Sequence, residues 1–158
     1  MSLNFLKILF PLLLFLFLQN CGYQPLLVEE QKKFSINDFE ISGDKKLGQM
    51  LANRFIRLER SENILMCKIK IEKDRTQSNR DQSGKVLEYS LSMNLSLEAI
   101  SLLDNKPVLV KGYSERRSYK ASKLYSDTLS REKKIIQDLI KSIAEQINND
   151  LNLVYKSR

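Results

Sequence analysis

A chain of 158 residues with 26 Lys and Arg against 19 Asp and Glu carries a formal net charge of +7, and a length of this order suits one domain around one core. With no His or Trp, 5 Gly and 2 Cys, it offers no phosphate-cradling glycine loop, no metal-ligand spacing and no acid, base and nucleophile set, so neither an enzyme nor a cofactor or metal is expected. Nucleic acid is a poor partner too, because the basic residues lack the interleaved aromatics on which bases stack.

The chain starts with an apolar segment. Ile8 to Leu18 holds no polar residue, Lys7 precedes it and Gln19 ends it. That is shorter than the ~20 residues needed to cross a bilayer and fits the basic start and apolar core of about 7 to 15 residues of an export signal. Leu18-Gln19-Asn20-Cys21 resembles a lipobox, the bacterial signal for acylating a cysteine and cleaving just before it, with Asn20 where Gly, Ala or Ser is usual. This reading makes residues 1–20 a lipoprotein signal peptide, Cys21 the lipidation site and residues 21–33 a lipidated tether. The alternative is an uncleaved anchor in which Cys21 is incidental. Loss of Lys7 with the signal leaves +6. Cys67 is then the only other thiol, so no internal disulfide is available.

Residues 34–155 read as a single domain and 156–158 as a tail. Phe34 to Ile41 mostly alternates and predicts a first strand. Leu47, Met50, Leu51, Phe55 and Leu58 recur at helical spacing, which predicts a helix over Lys45–Glu59 capped by Ser42 or Asp44, with the Arg54 stem packed and its head in water. Ile64 to Lys73 reads as a second strand whose apolar face is Leu65, Cys67, Ile69 and Ile71, placing the thiol in the core. The polar run that follows, Asp74 to Lys85, reads as a long mobile connection. From Leu87 to Ala99 apolar residues alternate without a break against Glu88, Ser90, Ser92, Asn94, Ser96 and Glu98, a half-buried third strand. A turn at Leu102–Pro107 then leads to a fourth strand able to pair with it as a hairpin. Leu129, Ile136, Ile140, Ile143, Ile147 and Leu151 share one helical direction, giving a long closing helix with Asp127 and Glu132 assigned to its first turn, where the dipole favours acids.

The order β-α-β-β-β-α, with one-sided helices and a sheet apolar on one face, predicts an α+β two-layer sandwich: a four-stranded, mostly antiparallel sheet with both helices on one face. The other face would show the strip Ser90, Ser92, Asn94 and Ser96, either solvated or a partner surface.

The signal leading into Cys21-Gly22-Tyr23-Gln24-Pro25-Leu26, the element order, the strand Val86–Glu98, Gly112 followed by Arg116-Arg117-Ser118-Tyr119-Lys120-Ala121, and the final Ile143–Leu151 stretch together resemble the LPS-assembly lipoprotein family (LptE) in its alphaproteobacterial form. The resemblance implies a lipid-anchored lipoprotein of the outer membrane of a Gram-negative bacterium. It would sit inside the LptD-type outer-membrane β-barrel, assist that barrel's assembly and help lipopolysaccharide to the cell surface. Lipopolysaccharide is then a possible ligand. Arg75, Arg80 and Lys85, expected after the second strand, and Arg116, Arg117, Lys120 and Lys123, expected after the fourth, could take lipid A phosphates in bidentate fashion; the alternative is a solvated basic rim. An auxiliary lipoprotein subunit of an envelope lipid-transport ABC system is the other function compatible with such a chain.

Overall fold

The computed structural model describes residues 34–55, 61 and 63–156. The elements run β1 (Phe34–Gly43), α1 (Lys45–Ala52), β2 (Asn63–Arg80), β3 (Val86–Ser101), β4 (Pro107–Lys120) and α2 (Tyr125–Lys156). They form one four-stranded sheet in the order β1-β2-β3-β4, with β1 parallel to β2 and the other pairings antiparallel. The expected α+β sandwich is therefore the observed fold. The signal, Cys21 and the tether lie outside the described residues.

The core lies between one sheet face and the helices. Leu65, Cys67, Ile69 and Ile71 of β2 and Leu91, Met93, Leu95, Leu97 and Ala99 of β3 are buried there, facing Leu139, Ile140, Ile143, Ile147 and Leu151 of α2. Each such Leu or Ile contributes about 1.5–3 kcal/mol by leaving water. Cys67 is wholly buried, and desolvation pushes its thiol up to about 12, which leaves it an inert core residue.

β1 passes into α1 through a tight connection. Gly43, at φ +77°, turns the chain, and a Cβ there would stand 2.3 Å from the Ile71 carbonyl oxygen. Asp44 then caps α1, its carboxylate accepting from the Leu47 N–H at 3.1 Å. The helix is shorter than the spacing predicts. It ends at Ala52, where the Arg54 and Phe55 N–H groups bond three residues back, to Leu51 and Ala52, tightening the final turn out of the α pattern. This aims Phe55 at Phe39, with ring centroids 5.5 Å apart, so the Phe55 periodicity reflects burial outside the helix. Arg54 is exposed, and Leu58 lies outside the described residues.

The largest correction concerns Asp74 to Lys85, which forms an extended hairpin. β2 continues to Arg80 and pairs with the start of β3, with Arg75 opposite Leu91 and Gln77 opposite Tyr89. Asp81 makes the turn: its carboxylate accepts from the Ser83 N–H, the Ser83 hydroxyl and the Lys85 N–H at 2.6–2.9 Å, and Gly84 follows at φ +83°. The first of these bonds to matter, from the Ser83 hydroxyl, helps hold the Asp81 carboxyl below its ordinary range.

Candidate interaction surface

The sheet has a second face, which neither helix covers. Alternation along each strand places there Glu40 and Ser42 of β1; Lys68, Lys70, Glu72 and Asp74 of β2; Ser90, Ser92, Asn94, Ser96 and Glu98 of β3; and Gly112, Ser114, Arg116, Ser118 and Lys120 of β4. The predicted strip thus lies on one face, with Ser90 buried, Ser92 half-buried and Asn94 and Ser96 exposed. Charges here are interleaved with opposite charges. Lys68 stands in register between Glu40 and Glu98, Lys120 faces Glu88, and Asp74 and Arg116 flank Ser92. Lys70 lies 2.8 Å from Glu72, whose hydrogen bond raises the ammonium pKa. Exposed pairs of this kind contribute little stability; their effect is a nearly neutral mosaic.

At the centre of this face is a depression of about 320 Å³ lined by Lys70, Glu72, Asn94, Ser96, Gly112 and Ser114, among others. Ser96 and Gly112 are cross-strand partners. A Cβ on Gly112 would meet only the Leu95 carbonyl at 3.9 Å, so packing does not demand glycine there; its absent side chain is what leaves the sheet backbone open. Beside it the Ser114 hydroxyl donates to the side-chain oxygen of exposed Asn94 at 2.7 Å.

The basic residues are divided by the strands that carry them, a second correction. Arg75 belongs to β2, and Arg116, Arg117 and Lys120 to β4. Arg75 lies on the helix side, 3.8 Å over the Tyr89 ring and 3.5 Å from Glu132. Glu132 also accepts from the Tyr119 hydroxyl at 2.8 Å and lies 3.9 Å from Lys73. It stands beyond the first turn of α2, which holds Asp127 alone, and serves as the acid that ties the hairpin to the helix. Arg117 faces Asp138 of α2 at 3.9 Å, whereas Arg116 and Lys120 point to the open face. Arg80 hydrogen-bonds Gln77, and Lys85 closes the hairpin turn. Lys123 is exposed between β4 and α2. The seven expected basic residues therefore form no single pocket. Sequence reasoning missed Glu132 and Gly112 as determinants; the spacing of Glu132 from the helix start was the available signal for the first.

No protein-family model matches the chain, and no curated protein matches it. Solved structures do match. One is a protein from Caulobacter crescentus described as a lipoprotein, with a TM-score of 0.53 at 11% identity over 80% of this chain and 93% of that one. Another is lipoprotein B from Nitrosomonas europaea, with a TM-score of 0.51 at 15% identity over 77% of this chain and 86% of that one. The rare lipoprotein B of Shewanella oneidensis has a TM-score of 0.47 at 18% identity, over 77% and 95%. The fold is thus shared with the Caulobacter crescentus and Nitrosomonas europaea proteins.

Proposed function

We propose that the chain is a lipid-anchored outer-membrane lipoprotein that plugs an LptD-type β-barrel, helps it assemble and assists lipopolysaccharide transport. The observation that carries this reading is the open sheet face. It is a broad, charge-balanced surface of small polar side chains, suited to lie against the polar lumen of a membrane barrel. The Leu18-Gln19-Asn20-Cys21 sequence supports the tether, and the shared lipoprotein fold supports the class. The role asks for no chemistry beyond surface complementarity, and the contact would exceed the roughly 1,600 Å² of a standard interface.

The test is recovery of partners with affinity-tagged, detergent-extracted full-length protein, identified by mass spectrometry. A large outer-membrane barrel should co-purify. Ser92→Trp with Asn94→Trp adds bulk to the open face and leaves the apolar face of β3 untouched, so the variant should fold by circular dichroism yet recover far less barrel. A folded variant that recovers as much would mark this face as merely wet. Recovery of an inner-membrane transporter in place of a barrel would support the ABC-system alternative.

A further inference from the structure

Phe34, where the chain enters the described fold, pairs with Asn63, and its ring stacks on Tyr155 near the end of α2 with centroids 5.9 Å apart. The β3–β4 turn lies at this same end, because Leu65 pairs with Ser101. That turn carries two adjacent leucines, Leu102 at 46% and Leu103 at 72% exposure, with exposed Ile64 beside them and Val110 at 71% nearby on β4. Single exposed leucines need no explanation, but two at a turn tip beside further exposed aliphatics form a patch.

Three backbone N–H groups leading into the tip of the turn are bonded by the protein itself. The Ser101 N–H donates to the Lys106 carbonyl at 2.9 Å, the Leu102 N–H to the Ile64 carbonyl at 2.9 Å and the Leu103 N–H to the Ser101 hydroxyl at 3.3 Å. Asn105, at φ 53°, completes the reversal. The two leucines thus bring N–H groups that are already bonded, which avoids part of the cost of placing backbone near hydrocarbon. Asp104 sets the depth. The Ser101 hydroxyl, with Lys106 close by, holds its carboxyl below the ordinary range, so it stays charged and must remain among headgroups.

We propose that the Leu102–Leu103 turn is a second membrane contact, dipping into the headgroup–acyl boundary of the bilayer that holds the acylated Cys21. This rests on the lipid anchor of the proposed function. Twelve residues lie between Cys21 and Phe34, thirteen steps that extend at most about 45 Å, so the anchor keeps this end of the domain near the bilayer. The contact turns a flexible attachment into a defined orientation of the domain relative to the bilayer.

Because acyl chains dominate partitioning, insertion is read as depth. Full-length acylated protein carrying Leu103→Cys or Ser83→Cys is labelled with an environment-sensitive fluorophore; Cys67 is buried and an acylated Cys21 does not react. It is reconstituted in vesicles of phosphatidylethanolamine and phosphatidylglycerol containing acyl-brominated lipid. The label at 103 should shift to the blue and be quenched about twofold, as for a group ~5–10 Å into the boundary, while the label at 83 is unchanged. Vesicle flotation without quenching at 103 overturns the second contact and leaves the anchor standing. A blue shift without bromolipid quenching overturns it in favour of cover by the protein's own chain. Failure to float overturns both, and is distinguished by that result alone.

Discussion

Asp150 and Glu132 each take a tyrosine hydroxyl across the gap between α2 and β4, and each also faces a cation. Asp150 accepts from Lys111 Nζ and from Tyr113 Oη, both at 2.8 Å, and the lysine bond holds its carboxyl below the ordinary aspartate range. A carboxyl depressed in the folded state contributes stability that is complete above the unfolded-chain value and is lost as pH falls through the folded value. Asp150→Asn should therefore lower the thermal midpoint at pH 7 by a few degrees and lose that difference in strong acid; an equal deficit at both pH values would make the loss purely steric. Tyr113 and Tyr119 are pushed the other way, upward, by burial first and then by these carboxylates, so their alkaline titration should appear only as the chain unfolds. Charge at the open face allows a separate residue-scale prediction. Arg116→Gln with Lys120→Gln removes the two β4 cations on that face, so if lipopolysaccharide binds there its affinity should drop while the thermal midpoint stays within about a degree, since exposed charges contribute little stability. Unchanged binding of purified lipopolysaccharide would assign both to a solvated rim.

Among the elements, α1 depends on a glycine that its own propensity disfavours. A Cβ on Gly48 would stand 2.2 Å from Ile41 Cγ2, so the absence of a side chain lets the helix lie close against β1. In an isolated helix Gly→Ala gains about 1 kcal/mol; here the overlap should outweigh it and destabilise by about 1–3 kcal/mol. Urea unfolding of Gly48→Ala, Ile41→Ala and the double variant would test this, the double variant being more stable than the sum of the single changes predicts. The strands were readable wherever one face is buried, as in β3, because burial writes a period of two into the sequence. The same rule hid the outer hairpin. From Glu72 to Arg80 every residue of β2 is exposed, so both faces accept polar side chains and the alternation vanishes. The Asp81-to-Gly84 turn was the remaining signal, and it also suits a mobile loop. The open-face strip was legible as a face, but the separation of Arg116 from Arg117 depended on β4 extending as far as Lys120, one residue's parity deciding which side each cation takes. The end of α1 could not be read from spacing, since Phe55 is held by Phe39 whether or not the helix continues.

Across the whole domain the tether end and the hairpin tip are opposite extremes of β2. Its 18 residues span roughly 60 Å at ~3.3 Å each, more than the ~40–45 Å of a bilayer with its headgroups. Anchored in the inner leaflet and seated in a barrel, the domain would carry its tip to the outer side. An impermeant maleimide should then label Ser83→Cys on intact cells; labelling only after permeabilisation would place the tip in the periplasm and argue against the plug. The parallel β1–β2 pairing has a mechanical meaning as well. Force on the tether would arrive at Phe34, the first residue of an edge strand and one clamped by Tyr155. Drawn outward along the axis of β1, it loads the hydrogen bonds to β2 crosswise and together, in shear, where a hairpin pulled from its open end would unzip one bond at a time. Were the chain moored by its N-terminus as proposed, the load would reach the sheet through a pairing stressed in shear, and rocking of the membrane or barrel would be shared along β1 before that strand peels away.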